Sequence, residues 1–380
     1  MHRNDPHPTR RRLLLAGAAG LSLAACGGGG NGDSVSAPAP GWRDRWASVP
    51  MPFGVSQHAT VAAAGGSLLV IGGSRAEGVL SDAVDRYEPA TRSFTRIGHM
   101  TTGRSEHHAI RLADGRVLVV GGQTGLSVRA FSDLVDPQTG QARPAGDMVL
   151  PRVHHATTRL ADGRVFTSGG IGRDSAEIWD PATERWRLVG VRMAHDRQYH
   201  TQTLLADGRV LIVGGYAEAA DYVFAEVFDP QHETFAPLAE VRDATLPRRY
   251  FHAAHRLSDG TVLVMGGSYQ GQDLLPQATV LRVDAQLGRI APAPDLAVPR
   301  TLVKSVLLPG DQVLMAGGQT GEPLASNHAA LYGTTGQRSA AALPGARAWH
   351  SVDLLPDGRV IVIGGEDVGG TLQASACIYD

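Results

Sequence analysis

Apolar residues along this chain fall in short runs, each closing on a pair of glycines. Leu69-Val70-Ile71 leads into Gly72-Gly73, Leu118-Val119-Val120 into Gly121-Gly122, Leu211-Ile212-Val213 into Gly214-Gly215 and Ile361-Val362-Ile363 into Gly364-Gly365. Further doublets stand at Gly169-Gly170, Gly266-Gly267 and Gly317-Gly318, so the seven are spaced by 49, 48, 45, 52, 51 and 47 residues. Runs this short, bounded by turn residues, read as strands. A period near 50 residues marks an array of units that bury their apolar faces only against one another.

The third repeat shows the parts of one unit. A strand over about residues 154–160 meets a second over about 165–168 through Asp162-Gly163, which the pair's turn preference reads as a two-residue type I′ hairpin. The same pair returns at Asp114-Gly115, Asp207-Gly208, Asp259-Gly260 and Asp357-Gly358, with Gly65-Gly66 and Gly310-Asp311 in its place elsewhere. A third strand ends on an aromatic (Tyr87, Trp179, Phe228, Tyr332, Tyr379), commonly before Asp-Pro or Glu-Pro, and a fourth carries Phe94, Trp186 or Phe235. Four antiparallel strands per repeat form one blade of a β-propeller. The doublets mark backbone that a side chain would either block or force out of its required conformation.

A hydrophobic run, Gly-Gly, and then a Tyr or Trp in each of the next two strands resembles the kelch repeat. The resemblance spans roughly residues 42–380 and implies an all-β, seven-bladed (alternatively six-bladed) kelch-type propeller of four-stranded antiparallel blades. Repeats five and six depart from it, with Asp284-Ala285 and Gly333-Thr334 replacing Asp-Pro. Asp44-Arg45-Trp46 followed by Met51 mirrors Glu184-Arg185-Trp186 followed by Met193. Residues 42–50 are therefore expected to supply the outer strand of blade seven and close the ring.

Residues 1–25 read as an export signal. Arg10-Arg11-Arg12 precedes an apolar stretch, Leu13 to Ala25, that is too short to span a bilayer. The arginines resemble a twin-arginine signal, and Leu23-Ala24-Ala25-Cys26 resembles a lipobox whose cysteine is diacylated. Two acyl chains anchor stably, so membrane attachment through Cys26, with residues 26–41 as a flexible tether, is expected. The anchored protein is expected to face the periplasm or to lie at the outer membrane or cell surface, with Gly27 after the cysteine favouring the outer membrane. The only other cysteine is Cys377, so no disulfide is expected within the mature chain. A net charge of −2 argues against nucleic acid as a partner.

Two columns recur in the first strands. His58, His107, His155, His200, His252 and His350 each stand fourteen residues before a doublet. One per blade, they lie too far apart to share a metal, and hydrogen bonds across blade interfaces explain them better; no metal or cofactor is expected. Three residues before that column stand Arg104, Arg152, Arg197, Arg249, Arg300 and Arg347. At the start of the innermost strands they would ring a channel mouth and grip carboxylates, or else pair with an acid of the next blade. Tyr199, Tyr250, Phe251 and Trp349 interrupt the same stretch and read either as an apolar or sugar-stacking platform or as packing between blades.

A non-catalytic, monomeric binding module for a protein or glycan is the first expectation. The alternative is implied by resemblance to periplasmic kelch propellers that interconvert sugar anomers. It would need a carboxylate at the mouth, where Glu106 is the one acid within the Arg-x-x-His segments. Resemblance to galactose oxidase, another propeller of similar repeats, implies a copper site with two tyrosines, two histidines and a cysteine cross-linked to one tyrosine. With Cys26 taken by the lipid and Cys377 in the final strand of the last blade, that site is not expected. The loops after the doublets, with Arg75, Glu77, Arg173, Asp174, Tyr216, Glu218, Tyr269, Gln270, Asp273, Glu322, Asn327, His328, Glu366 and Asp367, form a second candidate surface.

Overall fold

The computed structural model describes residues 43–217, 222–238, 248–269, 275–321 and 325–380. The export signal, Cys26 and the tether lie outside the described residues, as do Glu218, Gln270, Asp273 and Glu322. Seven four-stranded antiparallel sheets account for the fold, and the six-bladed alternative is excluded. Blades five and six keep four strands despite their irregular sequences: Ala253–Arg256, Val262–Met265, Val280–Asp284 and Arg289–Ala293 in one, Ser305–Leu308, Gln312–Ala316, Ala329–Gly333 and Gly336–Ala340 in the other. In five blades the second strand is an unbroken apolar run because both of its faces are covered, whereas blade three carries Thr167 and Ser168 there and blade six opens on Gln312. In Leu68–Ile71, Leu68 and Val70 pack against Ile361, Ile363 and Ile378 of blade seven, whereas Leu69 and Ile71 pack against Val117 and Val119 of blade two.

The doublets do two different jobs. The first glycine abuts the next blade: a Cβ on Gly169 (φ +68°) would lie 2.6 Å from the His200 ring and 2.4 Å from the Arg197 carbonyl. The second donates its N–H to the next blade's arginine-column carbonyl, at 2.8–3.0 Å at all seven seams, from Gly73 to Arg104 round to Gly365 and Val55. Crowding and left-handed backbone therefore both require glycine here.

The Asp-Gly turns differ from the type I′ expectation. Leu160 and Arg164 exchange the closing hydrogen bond, so the loop holds three residues, and within it only Gly163 is left-handed (φ +90°). This is a turn followed by a left-handed bulge residue. Asp162 stays because its carboxylate accepts the Arg164 N–H at 3.0 Å and the Arg164 guanidinium at 2.7 Å. The same pair of bonds recurs at Asp114-Arg116, Asp207-Arg209 and Asp357-Arg359.

The ring closes as expected. Trp46–Pro50 runs antiparallel to Ser375–Tyr379, with Trp46 opposite Tyr379, the register that Trp186 and Trp179 keep in blade three. Trp46 Nε1 donates to the Ala341 carbonyl at 2.7 Å and the Tyr379 hydroxyl donates to Asp44 at 2.6 Å. Val49 and Met51 are buried in the seam between blades seven and one.

Candidate functional site

The arginine column is not a ligand-binding rim. All six guanidinium groups are buried, at most 1 % exposed, and each staples its own blade. Arg152 donates to the Gly169 carbonyl at 2.7 Å, to the Ser175 carbonyl at 2.9 Å and to Glu177 at 3.0 Å. Arg197 repeats the scheme with Gly214 and Val223 carbonyls and Glu226, and Arg104 does so with Phe131 and Asp133. In blades five to seven the carboxylate is replaced: Thr279 serves Arg249, His328 serves Arg300, and Ser375 serves Arg347. The acids belong to the same blade, not to the next one. A planar cation with several fixed donors suits this role, since it satisfies the carbonyls that the doublet bend strips of partners.

The histidine column holds the blades together. His107 reaches the Ile71 carbonyl at 3.1 Å, His200 the Ser168 hydroxyl at 3.0 Å, His252 the Thr201 hydroxyl at 3.0 Å and His350 the Ala316 carbonyl at 2.8 Å, each on the preceding blade. His58 meets Ser351 at 3.3 Å across the closure seam. His155 packs on the seam without such a bond, its ring 4.8 Å from that of His108.

Between these two columns lies a third, one residue before each histidine-column position: Gln57, Glu106, His154, Tyr199, Phe251, Leu302 and Trp349. All seven are left-handed, with φ between +51° and +60°. Side chains rarely adopt this conformation, and for Phe, Leu and Trp it is a strained one. Its effect is to turn one side chain per blade toward the axis. Backbone bonds link neighbours around the ring, from Gln57 N–H to the Trp349 carbonyl, Glu106 to Gln57 and Tyr199 to His154. The side chains meet across it: Phe251 lies 4.2 Å from Tyr199 and 5.9 Å from Trp349, ring centre to ring centre.

The ring is divided. Blades four to seven give Tyr199, Phe251, Leu302 and Trp349, joined by Tyr250 in one apolar cluster, with Tyr216 edge-on to Tyr250 at 5.7 Å. Tyr199, Tyr216, Tyr250 and Trp349 are part-exposed and form an aromatic floor at the Gly-Gly end of the axis. Blades one to three give Gln57, Glu106 and His154. His154 Nε2 lies 2.5 Å from the Glu106 carboxylate and 2.9 Å from the Tyr199 hydroxyl, while its Nδ1 lies 3.2 Å from Gln198 Oε1. Its ring also stacks on Tyr199 at 4.1 Å.

Glu106 is fully buried, and its second carboxylate oxygen has no partner among the described residues. Burial pushes its carboxyl above the usual carboxylate range, a rise that the charge of Glu366 reinforces and the bond to His154 partly offsets. Burial likewise raises the Tyr199 phenol well above its ordinary value. The Glu106 carboxyl of blade two and the Tyr199 hydroxyl of blade four thus meet at one imidazole nitrogen of blade three, an arrangement suited to holding and passing a proton.

Sequence reasoning named Tyr199, Tyr250, Trp349 and Glu106, and the structure brings them to one place. It missed His154 and Gln57 because the third column shares a backbone conformation and no chemistry. Its one signal was a variable position framed by two constant ones. Of the loop residues, Arg75 is held by Asp85 at 2.7 Å and lies over the Phe53 ring at 3.7 Å, and Asp174 pairs with Arg192. Glu366 accepts the Ser56 hydroxyl at 2.6 Å beside the ring.

Among the described residues, Cys377 stands apart from the axial tyrosines and histidines. Cys377 is buried in the third strand of blade seven, two strands out from the axis, among Val360, Val362 and Tyr379. No group of three or more His, Cys, Asp or Glu side chains among the described residues is placed to hold a metal ion.

No family model matches the chain, and no curated protein matches it either. Among solved structures it is similar to a fungal alcohol oxidase of the AA5 family in complex with copper, at a TM-score of 0.71 and 17 % identity over 88 % of this chain and 76 % of that one. At that identity the likeness is one of fold alone.

Proposed function

We propose that the Gly-Gly end of the axis is a carbohydrate-binding site and that the protein is an exported, lipid-anchored binding module. The observation that carries this reading is the divided ring. An aromatic floor of Tyr199, Tyr250 and Trp349 suits the apolar face of a sugar, and Gln57, Gln198 and His154 beside it suit its hydroxyls. Export and anchoring rest on the Arg10-Arg11-Arg12 and Cys26 signals. Trp349→Asn tests the site, because asparagine tolerates the left-handed backbone that alanine resists. Binding to immobilised glycans should weaken about tenfold, or about 1.4 kcal/mol, with Tyr250→Ala acting in the same direction. Unchanged capture by both variants would remove the floor from recognition.

One observation favours a second reading, in which the bound sugar also reacts: the buried Glu106 with an unpartnered oxygen. In anomer interconversion Glu106 would take the proton of the anomeric hydroxyl through His154, which lies 2.5 Å from its carboxylate, while the Tyr199 hydroxyl gives a proton to the ring oxygen. The ring C–O bond opens to the aldehyde and recloses on either face, and the protons return. Glu106→Gln keeps the shape and removes the base. The rate of anomer exchange, read by NMR, should fall about a hundredfold or more with binding retained. A wild-type rate no faster than buffer would leave only the binding role.

A further inference from the structure

Beside the axial floor, between blade seven and blade one, lies a groove of about 520 Å³, within the roughly 300–1,000 Å³ of small-molecule sites. Ser74, Arg75 and Ala76 wall one side; Glu366, Thr371 and Leu372 wall the other. Both walls are fixed by their own bonds. Asp367 accepts the N–H groups of Gly369 and Thr371 at 2.9 Å each, and the Arg75 N–H donates to the Val79 carbonyl at 2.7 Å.

The groove opens onto the floor at Glu366. This residue exchanges backbone bonds with Ala348, the neighbour of Trp349, at 2.8 and 2.9 Å. Its carboxylate accepts from Ser56, the neighbour of Gln57, at 2.6 Å. A ligand resting on Trp349 therefore needs to pass only one residue to enter the groove. The charge inside is specific. Arg75 is engaged by Asp85, which Arg96 also holds at 2.7 Å, and by the Phe53 face, so among the described lining residues Glu366 is the carboxylate that faces the groove. Hydroxyl donors are the natural partners of that carboxylate, as Ser56 already shows at 2.6 Å.

We infer that the groove between blades seven and one is a second carbohydrate subsite, and that the ligand is a linear neutral glycan running from the axial floor into it. This rests on the carbohydrate reading of the floor. Joining two subsites through one chain raises affinity without any new contact at the first. The ligand's first unit lies on Tyr250 and Trp349, and its later units pass Glu366 to lie between Ala76 and Thr371.

The test uses neutral gluco-oligosaccharides of one to six units, β-1,4- and α-1,4-linked, titrated calorimetrically against the mature protein. In the wild type, affinity should rise about tenfold between one and four units for the linkage that fits. Ala76→Trp and Thr371→Trp, each placed on an exposed wall position, should remove that rise and keep the single-unit affinity. Trp349→Asn should lower every length by the same factor. Equal melting temperatures establish that the variants are folded. Length-independent affinity in the wild type, or an undiminished rise in both tryptophan variants, overturns the second subsite alone. No binding at any length overturns the carbohydrate reading of the floor itself.

Discussion

Acidification should unfold this protein cooperatively near pH 5. Burial pushes His58 and His252 down to about 3 and His108 and His255 down to about 4. His107, His155, His200 and His350 are held well below their ordinary value for the same reason. In the unfolded chain each takes up a proton near pH 6.5, whereas in the folded chain it stays neutral. Between pH 6.5 and about 4 the unfolded state therefore binds more protons, and stability falls as pH falls. Each histidine contributes a slope of about 1.4 kcal/mol per pH unit within that window. Four of them alone remove about 8 kcal/mol by pH 5, comparable with the whole stability of a typical domain. Asp353, pushed up to about 6 by burial, works the other way, since its folded form holds a proton that the unfolded chain has released. Glu106 and Glu366 act in the same sense, but three carboxyls do not balance eight imidazoles. Urea midpoints measured at pH 7.5, 6.5, 5.5 and 4.5 read this directly. Equal midpoints at 7.5 and 5.5 would refute it.

Removing the closing strand is the second large effect. A chain begun at residue 55 loses Val49 and Met51 from the blade seven–one seam and Trp46 from its contact with Tyr379. At about 1.5–3 kcal/mol per buried side chain the loss is roughly 5 kcal/mol. It also bares the edge of Ser375–Tyr379, a template for pairing with another chain. The shortened protein should melt at least several degrees lower and associate at high concentration. A peptide of residues 43–54 added in trans should restore the melting temperature by mass action. A melting curve that the truncation leaves unmoved would mean the ring closes without this strand.

What could be read along the chain is what repeats in phase. The doublets, the histidine column and the Trp46 mirror each recur with the blade, and the structure gives each the role its recurrence implied. The arginines misled because a column of identical residues says nothing about depth. Their partners, Asp133, Glu177, Glu226, Thr279, His328 and Ser375, differ in chemistry and share only their place near the start of the third strand. The Asp-Gly turns misled by one residue, since pair preference does not count loop length. The Glu106–His154–Tyr199 contact was hidden because its members lie 48 and 45 residues apart and belong to no shared motif. It becomes visible only when the repeats are laid in register and the odd position is read across them.

The left-handed ring has a consequence for how recognition changes over time. Blade packing is secured by the arginine and histidine positions that flank this column, so a replacement within it repacks the axial cluster and leaves the blade seams in place. Seven such positions, each bent inward by the same backbone, form a panel whose letters can be rewritten. A shift of ligand preference in this architecture then runs through Gln57, Glu106, His154, Tyr199, Phe251, Leu302 and Trp349, with touching neighbours changing together, and leaves the frame that displays them intact.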